Sequence, residues 1–478
     1  MQAGSHVKFP VPRLITAALG GGAGKTLITV GLIASLRRRG IPVGAFKKGP
    51  DYIDAGWLGL AAGGVCRNLD TYLFPQDVVT TSFVRGSLGK RISVVEGNRG
   101  LFDGVDKQGG YSTAELAKLL KAPVVLIVDA AKMTRTAAAL VLGCREFDKD
   151  LDIKAVILNR VAGYRHEQVL RRSIEAAVPV PVIGSVRKLA LSNFPQRHLG
   201  LLPLHEHPGA LRFIDDAADI VEESIDVERL TAMASQAEAL EPFHACPVEH
   251  IGTDLRKPSV RIGVVKDSAF QFYYPENLAA LSDAGAELVE VSALEEKPLP
   301  RLDALYIGGG FPETHADRLA GNRVFKQSVL DEVKGGLPVY AECGGLMYLS
   351  GNLLIDGTAY PMVGAFAADT ILQRRPQGLG YIHVEVTGPN PFYPCGAQLR
   401  GHEFHYSSVR VTGNSSPACA FRVLRGHGID GSRDGVCHLN ALGTYMHVHA
   451  LGEPLWAQGM INAALEYQSA RRSRSAVM

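Results

Sequence analysis

Residues 14–26 read LITAALGGGAGKT, and this stretch decides the fold of the first half of the chain. Residues 14–18 form a short apolar run that predicts a β-strand, and the periodic segment 26–39 predicts a helix. The glycine-rich turn between them is the arrangement in which backbone N–H groups and a helix N-terminus bind phosphate. The sequence therefore predicts a phosphate-binding loop.

The roles of single residues in this loop follow from the pattern GxxxxGK[ST], whose lysine reaches the β- and γ-phosphates and whose hydroxyl binds magnesium. Lys25 and Thr26 occupy those positions, although Leu19 stands where the strict pattern has its first glycine. A flexible turn with a chance lysine is the alternative, and the strand–helix context argues against it. Asn159, at the end of a later apolar run, either reads the adenine edge or caps a turn. The residues predicted to bind ATP are Gly20, Gly21, Gly22, Gly24, Lys25, Thr26 and Asn159.

Carboxylates that follow two other predicted strands are candidates for a magnesium site. Glu96 follows the run ISVV, and Asp51 and Asp54 lie in the segment FKKGPDYIDAGW, residues 46–57. The carboxyl ends of parallel strands face a bound nucleotide, and Mg²⁺ prefers oxygen ligands. Each carboxylate taken alone is more typical of a solvated loop than of a metal site. The predicted metal ligands are Thr26, Asp51, Asp54 and Glu96, with ATP and Mg²⁺ as cofactors.

A cysteine in a strand–turn–helix context predicts a second active site. Residues 337–346 read LPVYAECGGL, so that an apolar strand runs into Cys343 and two glycines open a helix. A tight turn of this kind lifts a nucleophile clear of the backbone, and a helix N-terminus is expected to lower the thiol pKa. The alternative is a small buried hydrophobic residue, which is the usual state of a lone cysteine.

Groups that would complete a cysteine site occur in two other segments. The glycine turn 308–310 follows the run ALYI, and the N–H groups of Gly309, Gly310 and Gly344 are candidates for binding an oxyanion. A general base is also required, and the segment GTYMHVH offers His447 and His449. Their distance in sequence is no objection, because catalytic groups assemble in space.

Composition predicts a folded protein without a nucleic-acid or membrane partner. The 478 residues are 46% hydrophobic and 21% charged, and 50 Lys and Arg balance 48 Asp and Glu. Seven cysteines without a CxxC pair argue against a disulfide or zinc framework and fit a reducing compartment. Since no signal-peptide pattern or membrane-length apolar run is visible, we expect a cytoplasmic location. The basic tail with Arg471, Arg472 and Arg474 is predicted to be a solvated, disordered end.

The order of the predicted elements divides the chain into two α/β domains. Apolar runs alternate with helical patterns through the first half, which predicts a doubly wound, mostly parallel sheet. The alternation lapses in a proline-containing stretch, and a second α/β pattern begins at Val260. The predicted boundaries are residues 1–235 for the first domain, 236–259 for a linker and 260–478 for the second domain.

The motifs are similar to those of a known family over nearly the whole chain. The matching stretches include GPDYID (49–54), EGNRGLFDG (96–104), GGGFPE (308–313), AECGGLMYL (341–349) and GHEFHYS (401–407). The chain resembles the cobyrinate a,c-diamide synthase family. The resemblance implies a dethiobiotin-synthetase-like, P-loop ATP-dependent amide synthetase domain, followed by a class I glutamine amidotransferase domain of the triad type.

The resemblance also implies a reaction at two sites. Cys343 would release ammonia from L-glutamine through a glutamyl thioester, with His447 at the position of the family's catalytic histidine. ATP would phosphorylate a carboxylate of the substrate, ammonia would displace the phosphate, and the a and c acetate groups of cobyrinate would become amides in cobalamin biosynthesis. His449 stands where other amidotransferases often carry Glu, which leaves the third triad member open. His402 and His405 are assigned a structural or interface role, and a homodimer is one candidate for the oligomeric state, which the sequence leaves open.

Several departures from the family pattern keep the tetrapyrrole open. Lys48 stands where many relatives have Val, and Arg99 stands where many have Met. A guanidinium can clamp a carboxylate with two hydrogen bonds. The candidates for substrate contact are Lys47, Lys48, Asp51, Tyr52 and Arg99. Sirohaem or nickel-sirohydrochlorin is the alternative substrate, and a P-loop regulatory ATPase with an inactive amidotransferase-like domain is the alternative from a different class.

Overall fold

The computed structural model describes residues 9–188, 196–197, 200–201, 204, 207, 209–240, 259–412 and 418–477. The chain divides into two compact units, residues 1–246 and residues 247–478. Most of the predicted linker, 236–259, lies outside the described residues, so the three domain boundaries stay predictions. Each unit is an α/β structure, as the sequence predicts.

Within the described residues of the first unit, seven parallel strands form the central sheet. These strands are β1 (Arg13–Ala18), β2 (Val43–Lys48), β3 (Cys66–Leu69), β4 (Ile92–Glu96), β5 (Val124–Asp129), β6 (Ile153–Val161) and β7 (Val182–Arg187). Their order is β3-β2-β4-β1-β5-β6-β7. A separate antiparallel pair consists of β8 (Gln196–Arg197) and β9 (Gly200–Leu201). The continuous apolar runs of the sequence are thus buried central strands.

Helices connect and cover these strands. They are α1 (Lys25–Arg38), α2 (Ile53–Ala62), α3 (Gln76–Ser87), α4 (Thr113–Leu119), α5 (Thr136–Phe147), α6 (Tyr164–Ala177), α7 (Ala210–Ser224) and α8 (Val227–Ser235). The register places Glu96 of β4 beside Thr16 of β1 on one side and Lys47 of β2 on the other. The carboxyl ends of these three strands therefore lie together at one edge of the sheet.

The second unit contains a mixed sheet and smaller sheets. Its strands are β10 (Val260–Val265), β11 (Phe270–Phe272), β12 (Ala286–Val291), β13 (Ala304–Ile307), β14 (Gly309–Gly310), β15 (Val339–Glu342), β16 (Asn352–Ile355), β17 (Thr358–Pro361), β18 (Ala368–Leu372), β19 (Gly378–Val386), β20 (Gln398–His405), β21 (Ser407–Val411), β22 (Ala418–Arg425), β23 (Arg433–His438) and β24 (Ala441–Thr444). The main sheet has the order β12-β10-β13-β15-β24-β23-β22-β19-β20 and is parallel from β12 to β24. The remaining strands pair as β17-β16-β18-β21 and β11-β14.

The helices of the second unit complete its core. They are α9 (Pro275–Asp283), α10 (Ala316–Gly321), α11 (Arg323–Lys334), α12 (Gly344–Leu349) and α13 (Pro454–Val477), with a 3₁₀ turn at Pro312–His315. Trp456 of α13 packs against Tyr306 and Tyr340, which project from the parallel strands. No helix in the described ranges is long and apolar enough to cross a membrane.

The prediction of a disordered basic tail is wrong for the described residues. Helix α13 runs through this segment, and the Arg471 guanidinium donates hydrogen bonds to Asp303 Oδ1 at 2.7 Å and to the Leu302 carbonyl at 2.9 Å. Arg472 and Arg474 are exposed, as expected. The buried carboxylate of Asp303, directly before β13, supplies the partner that local sequence does not reveal.

Candidate active sites

The glycines of the phosphate loop, between β1 and α1, have distinct structural roles. Gly22 and Gly24 have φ values of 72° and 89°, in the left-handed region that favours glycine. A Cβ at Gly24 would also collide with the Asn159 amide. Gly20 and Gly21 face open space at their Cβ positions. The loop therefore combines a fixed backbone with the room that a phosphate group requires.

Two polar side chains hold this loop in place. The Lys25 ammonium donates hydrogen bonds to the carbonyls of Gly20, at 3.0 Å, and Arg99, at 2.6 Å. Burial, together with repulsion from Lys47, lowers the pKa of Lys25. The Asn159 amide donates to the Ala23 carbonyl at 2.8 Å. Asn159 thus positions the loop backbone, and its contact with an adenine edge stays a prediction.

A buried ammonium lies among the predicted metal ligands. Lys47 Nζ is 2.6 Å from both Asp54 Oδ2 and Glu96 Oε1, and 3.8 Å from Asp51 Oδ2. Although burial opposes its charge, these carboxylates raise the pKa of Lys47 well above its ordinary value. Burial and repulsion from Asp54 raise the pKa of Asp51 to about 7. Lys47 therefore balances three carboxylates that would otherwise repel one another.

Among the four predicted metal ligands, Thr26 and Glu96 are better suited to bind magnesium than Asp51 and Asp54. The Thr26 hydroxyl donates to Glu96 Oε1 at 3.0 Å, and Glu96 Oε2 is buried with no hydrogen-bond partner among the described residues. The described part of the chain has no cluster of three or more His, Cys, Asp or Glu that could hold a metal alone. In nucleotide sites Mg²⁺ takes one or two protein oxygens and completes its shell with phosphates and water, so one hydroxyl and one carboxylate suffice.

The predicted substrate residues fall into two groups. Lys47 is saturated by carboxylates, whereas the buried Lys48 ammonium makes no hydrogen bond to any residue that the structure describes. Burial lowers the pKa of Lys48, and Arg99 adds repulsion while Asp70 opposes it. The loop that carries Asp51 and Tyr52 is fixed because the Asn68 amide donates to the carbonyls of residues 49 and 51. Of the two predicted lysines, Lys48 is therefore the one whose side chain has no hydrogen bond within the described residues and can contact a substrate.

The predicted strand–turn–helix around the cysteine is confirmed. Cys343 lies between β15 and α12 with φ 48° and ψ −96°. A Cβ at Gly344 would lie 3.1 Å from the Gly310 nitrogen, and one at Gly345 would lie 2.5 Å from the Ile307 carbonyl oxygen. A side chain at position 345 would collide with the backbone of β13, and one at position 344 would make a tight contact, so two glycines suit the turn beneath the nucleophile.

The same glycines connect the cysteine to the histidine. A Cβ at Gly309 would lie 2.5 Å from His447 Cε1 and 3.3 Å from its Nε2, so the imidazole packs directly on this glycine. Its neighbour Gly310 approaches Gly344, which follows Cys343. The structure therefore brings Cys343, its three predicted oxyanion glycines and His447 together, whereas His449 lies beside Glu276.

Backbone and ring contacts fix His447. Its N–H donates to the His402 carbonyl at 2.8 Å, its carbonyl accepts from the His402 N–H at 3.1 Å, and the two imidazoles stack with centroids 4.8 Å apart. Burial, with charge repulsion from His447 and His449, lowers the pKa of His402 well below its ordinary value. His405 stacks on Tyr445 with centroids 3.6 Å apart. His402 is therefore a neutral support for His447, which agrees with the structural role predicted for it, although the sequence did not indicate its partner.

Sequence reasoning also missed a carboxylate next to His447. Glu342 Oε2 lies 3.5 Å from His447 Nδ1, and the Glu342 side chain is fully buried. His449 instead pairs with Glu276, at 3.7 Å between Nε2 and Oε2. The available signal was an acidic residue at the end of an apolar strand, directly before the nucleophile.

The expected lowering of the thiol pKa is wrong for the free protein. Burial raises the pKa of the Cys343 thiol far above its ordinary value, and repulsion from Glu313 adds to the effect. Helix α12 spans only six residues, and its N-terminus does not offset the loss of solvation. The thiol is therefore protonated at neutral pH, and it needs a base during attack.

Alkylation of Cys343 by iodoacetamide is expected to accelerate continuously from about pH 7 to about pH 9.5, because only the thiolate reacts. Mass spectrometry of the modified peptides measures the rate, and the exposed Cys395 serves as an internal reference that the reagent reaches freely. A rate that reaches its plateau below about pH 8 would show a stabilised thiolate and contradict this prediction.

Comparison with known proteins agrees with the two sites. Residues 14–202 match the CobQ/CobB/MinD/ParA nucleotide binding domain, and residues 261–455 match the CobB/CobQ-like glutamine amidotransferase domain. A protein named cobyrinate a,c-diamide synthase from Magnetococcus marinus is 42% identical over 454 residues, which are 94% of this chain and 96% of that protein. Proteins with the same name from Archaeoglobus fulgidus and Methanothermobacter thermautotrophicus are 40% and 39% identical, over 95% of this chain and 98% and 100% of their own lengths. The chain belongs to the cobyrinate a,c-diamide synthase family.

Proposed function

We propose that this protein amidates the a and c acetate carboxylates of cobyrinate, with L-glutamine as the nitrogen donor and ATP as the energy source, in cobalamin biosynthesis. The observation that carries the proposal is similarity over 94% of the chain to proteins named for this activity. The nucleotide-binding and glutamine amidotransferase domains supply the two half-reactions that such an activity requires.

In the glutaminase half, Cys343 is the proposed nucleophile and His447 the proposed base. His447 takes the thiol proton as Sγ attacks the side-chain amide carbon of glutamine, and it returns a proton to the leaving ammonia. The N–H groups of Gly309, Gly310 and Gly344 are the proposed donors to the oxyanion. Their convergence around Cys343 supports this assignment. Water then hydrolyses the glutamyl thioester.

In the ATP half, Lys25 and the glycine loop are proposed to hold the phosphates. The γ-phosphoryl group passes to a substrate carboxylate, and ammonia attacks the acyl phosphate and expels phosphate. Lys48 and Arg99 are proposed to hold the substrate carboxylate, since buried Lys48 lacks a hydrogen bond within the described residues. Asp51 and Tyr52 stay predicted substrate contacts.

Mg²⁺ is the proposed metal, with Thr26 and Glu96 as ligands and Asp51 and Asp54 as further predicted ones. When bound, it neutralises the charge that builds up on the phosphates. Lys47 forms close ion pairs with the carboxylates of Asp54 and Glu96 and holds both side chains in place. A homodimer and a cytoplasmic location remain predictions from the sequence.

Product analysis tests the substrate. The protein is incubated with ATP, Mg²⁺, L-glutamine and either cobyrinate or sirohaem, and the masses of the products are measured by mass spectrometry. Two acid-to-amide replacements on cobyrinate are the expected result. Amidation of sirohaem alone would keep the chemistry and reject the proposed substrate. ATP turnover that no tetrapyrrole carboxylate stimulates would favour a regulatory ATPase.

A further inference from the structure

The base of the glutaminase site requires a group that fixes its tautomer. A histidine that accepts a proton at Nε2 must carry its other proton at Nδ1, and a carboxylate at Nδ1 holds that form and stabilises the imidazolium. The position two residues after His447 carries His449, whose imidazole pairs with Glu276. That position therefore supplies no carboxylate to the base.

Glu342 has the geometry that this role demands. Its Oε2 lies 3.5 Å from His447 Nδ1 and accepts a hydrogen bond from the Tyr306 hydroxyl at 3.0 Å. Its Oε1 accepts the N–H of Val448 at 3.2 Å. The carboxylate is thus fixed on both oxygens, and one of these bonds holds the residue that follows the base. Its complete burial removes competition from water.

Other carboxylates of this region are occupied elsewhere. Asp434 accepts the Thr444 hydroxyl at 2.7 Å together with the backbone N–H groups of residues 435, 445 and 446. Glu453 accepts the N–H of Arg400 at 2.7 Å. Glu313 acts on the thiol by charge repulsion. The contacts of Asp434 and Glu453 therefore fix the backbone of the site.

We propose that Glu342 orients His447, so that the acidic triad member lies on the strand directly before the nucleophile. This rests on the proposed glutaminase function. As the Sγ–H bond breaks and the Sγ–C bond forms, the thiol proton moves to His447 Nε2, and the Glu342 carboxylate faces the positive ring at Nδ1. The 3.5 Å separation is an ion-pair distance, and such contacts shorten when substrate binds.

The test is Glu342→Gln, assayed as glutamate release without a tetrapyrrole. We expect kcat to fall roughly 10- to 100-fold and KM to change less than about twofold. This loss of kcat is smaller than the ~10⁴-fold loss known for triads in which the carboxylate is hydrogen bonded to the base. Ammonia-driven amidation is expected to stay at the wild-type rate. Glu342→Asp retains the charge and is expected to recover part of kcat.

The matched control is Glu276→Gln, which removes a buried carboxylate beside the other histidine and is expected to keep kcat within about twofold. Wild-type kcat in Glu342→Gln, or an equal loss in both Gln variants, overturns the proposal. If Glu342→Gln does not fold, Glu342→Asp decides, because its shorter side chain withdraws the carboxylate from His447 Nδ1. Wild-type kcat together with a wild-type pH profile of kcat in that variant overturns the proposal. A wild-type protein that releases no glutamate would instead reject the glutaminase function itself.

Discussion

Replacing Cys343 with Ala is expected to lower glutamine-dependent amidation by at least about 10³-fold while ammonia-driven amidation continues. Alanine lacks the sulfur that forms the thioester, and it is small enough to leave the buried turn between β15 and α12 intact. Ammonia supplied at alkaline pH bypasses the glutaminase and reacts directly with the acyl phosphate. The measurement is amide formation with glutamine and with an ammonium salt, in parallel.

The matched control for this experiment is Cys395→Ala, which removes an exposed thiol from the same unit and is expected to leave both activities unchanged. Loss of both activities in a folded Cys343→Ala protein would contradict the assignment of separate sites. Retained use of glutamine would show that another group is the nucleophile. The two outcomes differ, because amide forms only in the second.

The features that sequence predicted well are contiguous ones. The phosphate loop follows from a strand, a glycine turn and a helix that are adjacent in sequence, and the helix begins one residue from its predicted start. The turn at Cys343 is predicted for the same reason, since the strain and its relief by Gly344 and Gly345 lie within three residues. Local steric rules are sufficient for such elements.

The features that were missed depend on which strands become neighbours. Lys47 lies among carboxylates because β2 and β4 pair in a register that sets Lys47 beside Glu96, 49 residues away. His402 supports His447 through a backbone bridge that no local pattern encodes. Glu342 reaches the base because β15 pairs with β24, after which the chain continues to His447. Side-chain geometry of this kind follows from the fold and not from spacing.

The thiol shows how one physical effect outweighs another. The sequence predicts a helix N-terminus behind Cys343, and the structure contains that helix, yet burial raises the pKa of the thiol. The helix dipole acts mainly within the first turn and contributes typically ~0.3–1 kcal/mol, whereas one pKa unit corresponds to about 1.4 kcal/mol. Desolvation of a fully buried group can shift a pKa by several units, so it dominates here.

Replacing Lys25 with Met is expected to lower ATP-dependent amidation by about 10²- to 10³-fold, with glutamine and with ammonia alike. The Lys25 ammonium is held across the loop by the carbonyls of Gly20 and Arg99, so its charge is already positioned beside the phosphate cradle. Methionine fills a similar volume without the charge. Lys25→Arg is also expected to be impaired, because a planar guanidinium does not replace a compact ammonium at this position.

Glutamate release and amide formation measured on the same sample separate this effect from that of Cys343. Lys25→Met is expected to keep the glutaminase rate, and Lys90→Met, at an exposed lysine of the same unit, is expected to keep both. Wild-type amidation in Lys25→Met would reject the phosphate-binding role of the loop. A parallel loss of glutamate release would mean that phosphate binding controls glutamine hydrolysis. The comparison of Lys25→Met with Cys343→Ala therefore tests whether the two half-reactions use separate residues, because each variant is expected to spare the reaction that the other abolishes.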